Sequence, residues 1–206
     1  MDGIALRLPI ILRQAGRVLC LCGAISLAPM AEAAPSADQP STEVDAEQRL
    51  DDALRQARRE DKRLFVVVTG EHCGPCIFMS RFLERQQPIL KQDFIVVKFW
   101  RDHDASSDAV IQKIRAGKPG GIPWVAILDA DGKILATGND AAGKNLGFPN
   151  KPEGIANFVE MISSTSRHIT SKQLADLEWS LVRGEIVHEV LDERAAQRRS
   201  QAVDRK

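Results

Sequence analysis

The amino-acid sequence predicts an α/β fold, a central β-sheet flanked by helices, with a helical extension at the C-terminal end. Three observations predict it. Strand-like runs such as Leu64-Phe65-Val66-Val67-Val68 alternate with stretches whose apolar residues recur at helical spacing. Asp131-Gly132 stands between two further apolar runs, a hairpin signal. From Thr170 onward the apolar residues fall in helical stripes.

Taken in order, Ala46, Leu50, Ala53, Leu54 and Ala57 mark an amphipathic helix from about Val44 to Arg59. Leu64 to Thr69 is a strand. The helix opened by Cys73 carries Ile77, Phe78, Phe82 and Leu83 and breaks before Pro88, which can start a short further turn. Phe94 to Trp100 is the next strand, and a helix from about Ser107 to Ala116 presents Val110, Ile111 and Ile114. Strands Trp124 to Leu128 and Lys133 to Thr137 flank the hairpin. Gly147 to Glu153 reads as a loop, and Ile155, Phe158, Val159 and Ile162 mark a helix closing the domain. In the extension, Leu174, Leu177 and Leu181, then Ile186, Val187, Val190 and Leu191, form stripes interrupted by Gly184, so two helices or one kinked helix are expected. These stripes either pack back on the domain or form a homodimer or partner surface. Beyond Arg194 the charged tail is expected to fray.

Cys73-Gly74-Pro75-Cys76 follows the first strand at the start of a helix. The first N–H groups of a helix lack intrahelical partners and the macrodipole adds positive charge, so a cysteine there is favoured as the thiolate that attacks disulfides. Cys73 has that position. Cys76, about one turn on, can attack a mixed disulfide on Cys73 and release the reduced partner. Pro75 is tolerated in the first turn, and Gly74 lets a partner backbone come near the sulfurs. The same spacing serves half of a zinc site, but zinc needs two more ligands, and His72, His103, His168 and His188 are scattered. A metal site from His72, Cys73, Cys76 and His103, or a purely structural disulfide, is the alternative. The expectation is no metal and no cofactor other than a redox-active Cys73–Cys76 disulfide.

Arg7, Arg13 and Arg17 precede an apolar stretch, Val18 to Met30, that ends in Ala31-Glu32-Ala33. This reads as a signal peptide over residues 1–33, cleaved after Ala33. The stretch is short for a membrane span, so export to the periplasm or the exterior is expected, with no membrane contact after cleavage; an uncleaved anchor is the alternative. Cleavage would remove Cys20 and Cys22, leaving Cys73 and Cys76 as each other's only intramolecular partner. Residues 34–43 hold a leader rich in Pro, Ser and Ala, expected to be flexible; residues 44–164 form the α/β domain and 165–206 the helical extension with its charged tail. The 28 basic and 28 acidic residues balance, which gives no pull toward nucleic acid or an anionic membrane.

With Cys73-Gly74-Pro75-Cys76 after a hydrophobic strand, Val96-Val97-Lys98 in the second strand, Gly121-Ile122-Pro123 before the third and the Asp131-Gly132 hairpin, the chain resembles the thioredoxin superfamily, in a secreted thioredoxin-like branch. The likeness covers about Val44 to Ser164. It implies a thioredoxin-like fold with a central mixed sheet, a cis Ile122–Pro123 bond packed against the dithiol, and backbone there that pairs with a substrate as an added strand. An ordinary trans proline opening a strand is the plainer alternative.

The departures from that family bear on chemistry. His72 stands where thioredoxins usually have Trp; an imidazolium there would stabilise the Cys73 thiolate, and an exposed, uninvolved histidine is the alternative. Val67 stands where the family has a buried Asp that helps deprotonate the resolving thiol. Lys98, matching the family's buried Lys, therefore lacks its expected partner, and the Cys76 proton must use water, Glu71 or another group. Trp124 follows Pro123 where Thr is usual, and offers either an aromatic contact for a partner or a core-facing ring.

The function expected is that of an exported thiol-disulfide oxidoreductase, a reductase more than an oxidase because the Gly-Pro pair resembles that of reducing thioredoxins. Its partners would be disulfide- or thiol-containing proteins of the cell envelope, together with an electron donor that no residue identifies. The competing reading is a redox-sensing module, or one that binds a metal or a partner without turnover.

Overall fold

The computed structural model describes residues 45–101 and 105–203. The segments read as a signal peptide and a leader, together with Val44 and His103, lie outside the described residues. The elements are α1 (Ala46–Glu60), β1 (Arg63–Thr69), α2 (Gly74–Arg85), α3 (Gln87–Leu90), β2 (Phe94–Trp100), α4 (Ala105–Ile114), β3 (Trp124–Leu128), β4 (Ile134–Thr137), α5 (Pro152–Thr165), α6 (Ser171–Val182) and α7 (Glu185–Val203).

The strands form one mixed sheet in the order β2-β1-β3-β4. β1 pairs parallel with β2, placing Val67 beside Lys98, and antiparallel with β3, placing Val68 beside Trp124. Side chains alternate across a strand, so β1 feeds two cores at once. Phe65 and Val67, with Val125 and Ile127 of β3, pack against Met79, Phe82 and Leu83 of α2 and against Phe158 and Ile162 of α5. Leu64, Val66 and Val68, with Trp124, Ala126 and Leu128, pack against Leu50, Ala53 and Ala57 of α1 and Val110, Ile111 and Ile114 of α4. A strand buried on both faces reads as a continuous apolar run rather than an alternation, as β1 does.

The ends of the elements follow local chemistry. At the hairpin, Gly132 takes φ +83° and the Asp129 carboxylate accepts from the backbone N–H groups of Asp131 and Lys133, both at 2.9 Å. α4 stops at Ile114, two residues before the expected end, because Ala116 (φ +52°) and Gly117 (φ +71°) turn the chain left-handed while the Gly117 N–H donates back to Gln112 O. α5 starts at Pro152, inside the expected loop, with Pro at its first position and Glu153 in its first turn.

The extension forms two helices, broken at Gly184 with φ +62°. Thr170 opens α6 with a reciprocal cap: its hydroxyl accepts from Gln173 N–H, and Gln173 Oε1 accepts from Thr170 N–H. The stripes turn inward, for Leu177, Leu181, Ile186 and Val190 join the core built by α2 and α5. The tail expected to fray beyond Arg194 is helical to Val203. Its run of Glu, Arg, Ala and Gln consists largely of strong helix formers, so α7 persists after its buried face ends.

Candidate functional site

Gly70 ends the line of β1, two turn residues follow, and α2 begins at Gly74 with Cys73 as its N-cap. Cys73 has extended φ and ψ of −104° and 102°, and its Sγ accepts from Cys76 N–H at 3.2 Å, where a hydroxyl or carboxylate usually sits. Its carbonyl takes Cys76 N–H at 3.1 Å and Ile77 N–H at 3.4 Å. The sulfur thus occupies the ring of unpaired donors at the positive end of α2. Cys73 is half-buried, whereas Cys76 is 3% exposed. The two are bonded, with a Cα–Cα distance of 5.2 Å.

Beside Cys73 lies an open cavity of about 510 Å³, lined by Gly70, Glu71, His72, Cys73, Arg101 and Ile122. Glu71, His72 and Pro75 are exposed, Gly74 and Ile122 half-buried, and Pro123 buried. The Ile122–Pro123 peptide is cis. A Cβ on Gly70 would meet Ile122 Cδ1 at 2.6 Å, so the Ile122 side chain packs directly over the end of β1. Arg101 continues β2 by one residue, its N–H donating to Thr69 O at 2.9 Å, and this brings its guanidinium to the cavity. It was not among the expected site residues, since nothing around it in the sequence marks it.

That loop is held by side chains the sequence did not single out. Arg115, just past α4, donates from Nη1 to Gly120 O at 2.9 Å and from Nη2 to Gly121 O at 2.8 Å, and its guanidinium lies 4.7 Å over the Trp124 ring. Asn145 donates from Nδ2 to Gly121 O at 3.0 Å and to Pro123 O at 2.9 Å. Burial, and then the charge of Arg101, push Arg115 below its usual value. A guanidinium does not give up its proton on that account, so the fold tolerates a desolvated charge here in return for two fixed carbonyls and a stacked ring.

Two candidate residues lie away from a partner surface or the dithiol. Of the two readings of Trp124, the partner contact is corrected and the core-facing ring holds: it is 4% exposed, lies in the core between β3 and α4, and donates from Nε1 to Asn139 Oδ1 at 2.9 Å. A tryptophan at the start of β3 faces the α4 side by strand alternation, which leaves no ring face for a partner. Lys98 is not brought to the dithiol either. Its Nζ lies 3.7 Å from Glu84 Oε1, in the last turn of α2, whereas the cysteines occupy the first. With Val67 offering no carboxylate beside it, the ammonium goes to the carboxylate within reach.

Residues 45–130 match a family model described as thioredoxin-like. Over these residues the chain is thioredoxin-like. The match spans α1 to β3 and contains the bonded pair. β4 and the helices from α5 onward lie beyond the match. Among solved structures, a disulphide isomerase from Xylella fastidiosa Temecula1 is similar at 23% identity, with 48% of this chain and 76% of that one covered and a TM-score of 0.42. The oxidised thioredoxin from Plasmodium falciparum is similar at 17% identity over 46% of this chain and 79% of that one, with a TM-score of 0.35. No curated protein matches.

Proposed function

We propose that this thioredoxin-like protein is an exported thiol-disulfide oxidoreductase that reduces disulfides of cell-envelope proteins by mixed-disulfide exchange. The observation that carries the reading is the asymmetry of the pair: Cys73 is accessible at the helix N-cap, and Cys76 is buried one turn behind it. The Cys73 thiolate attacks one sulfur of the partner disulfide; the Cys73–partner bond forms, the partner's bond breaks, and its other sulfur leaves as a thiolate. Cys76, as thiolate, then attacks Cys73 Sγ, the mixed disulfide breaks, and the partner departs with two electrons. The loop Gly121-Ile122-Pro123 supplies an edge along which the partner's backbone aligns. Export rests on the Arg-flanked apolar stretch within residues 1–33.

Cys76→Ser tests this reading, because it leaves Cys73 able to attack and unable to release. A covalent, thiol-sensitive adduct with envelope proteins should accumulate, depend on Cys73, and weaken when Pro123 is replaced. If no such adduct forms and the reduced wild-type protein is inert toward disulfide substrates, a module without turnover is the better description.

A further inference from the structure

The extension reaches Gly74, the residue after Cys73. Arg85 pairs with Glu189 and Arg81 with Glu193, the latter at 3.2 Å. The contacts step four residues down α2 as they step four up α7, so the helices run antiparallel and α7 travels from the last turn of α2 toward its first. Ile186 and Val190 fix its near half in the core with Met79, Phe82 and Leu83. One residue past Glu193, the Arg194 guanidinium comes to Gly74: Nη1 is 4.0 Å from where a Cβ on that glycine would stand. Gly74 lies between the cysteines in sequence and carries no side chain to screen the charge. Arg194 is half-buried and makes no ion pair among the described residues.

We propose that Arg194 is a positioning residue for the dithiol, a fixed cation that the extension holds at Gly74, next in sequence to Cys73, to stabilise the Cys73 thiolate. The inference rests on the reading of Cys73 as the attacking thiol. A guanidinium stays charged throughout the physiological range, so its effect does not switch off as an imidazolium's would. The reduced form carries the thiolate charge and the disulfide carries none, so the cation favours the reduced form and makes the couple more oxidising than the domain would be without α7. α2 contributes the same sign of field from its N-terminus, and the two act together on one sulfur.

The test uses the full chain and two measurements that need no protein partner: alkylation of Cys73 as a function of pH, and the equilibrium of the dithiol with reduced and oxidised glutathione. Arg194→Ala should move the alkylation profile to higher pH, slow labelling at mildly acidic pH by about three- to tenfold, and shift the glutathione equilibrium toward the disulfide by a similar factor. Arg194→Lys should restore most of both. Arg194→Met keeps the aliphatic stem packed and should behave as Arg194→Ala, which separates charge from folding. A folded Arg194→Met protein with wild-type profile and equilibrium would overturn the inference, and so would an Arg194→Lys protein that matches Arg194→Ala. Arg194-dependent thiol properties in a protein inert toward protein disulfides would count against the proposed function and leave this role standing.

Discussion

At the scale of single residues, Val67 and Lys98 say most about how this site departs from the thioredoxin pattern it resembles. Val67 is 1% exposed beneath α2, and Lys98, its neighbour in register, turns to Glu84 at the far end of that helix. Proton movement at Cys76 therefore runs without a carboxylate on β1. Val67→Asp would place an acid in an apolar enclosure, where desolvation raises its pKa and destabilises the fold by about 2–4 kcal/mol. The same acid would give Cys76 a base, so faster turnover of a disulfide substrate is expected from the fraction that stays folded. Denaturant melts and single-turnover reduction check both halves, and unchanged turnover in a folded variant would show that another group already takes the proton. The cysteines were legible in the sequence because helix start, spacing and the preceding strand are all local signals. Where Lys98 points was not, since its partner lies across the tertiary structure and only the absence of an acid at Val67 hinted at it.

At the scale of elements, the segment from Arg115 to Pro123 decides how the edge proposed to align a partner is held. Its Gly and Pro residues make a loop easy to read in the sequence, but the clamp from Arg115 and Asn145 depends on α4 and the segment after β4 meeting around it. No periodicity encodes that meeting. Arg115→Met removes both bonds to the Gly120 and Gly121 carbonyls while relieving a desolvated charge, so the net loss of stability should be modest, about 1–2 kcal/mol. The larger effect is expected in function. KM for a protein disulfide substrate should rise several-fold, kcat for a small disulfide should hardly move, and the amides of Lys118, Gly120, Gly121 and Ile122 should exchange faster. Equal losses on large and small substrates would mean that the clamp serves the dithiol itself rather than the partner edge.

At the scale of the whole molecule, the extension is joined to the domain by a buried carboxylate. Asp93, at the entry to β2, is 2% exposed and accepts from the backbone N–H groups of His168 and Ile169 at 2.9 and 3.0 Å, with His168 Nδ1 at 2.7 Å. A carboxylate only accepts, so that nitrogen carries the proton. Burial alone would raise the pKa of Asp93; the donations from His168 and Ile169 outweigh it and leave the value lowered. A depressed carboxyl contributes stability that is present above its unfolded pKa of about 3.9 and is lost as pH falls through the lower folded value. Asp93→Asn should therefore cost about 1–3 kcal/mol at neutral pH, and the gap from wild type should close on acidification below pH ~4. Denaturant melts across that range check it; a gap that persists in acid would assign the loss to shape rather than charge. The stripes of α6 and α7 were plain in the sequence, while their choice of α2 and α5 as cover was not, because a stripe states that a face is buried without naming what buries it.

β1 is hydrogen-bonded along both edges, to β2 and to β3, and the dithiol grows from its end. Such a strand exchanges its amides only when the whole protein opens, whereas a loop tied by a few side-chain bonds opens by itself at far lower cost. The two halves of the site therefore keep different time. On the proposed function, the sulfurs stand just past the doubly paired strand, and accommodation of differently shaped partners would fall to the Arg115–Pro123 side, which opens without disturbing the dithiol.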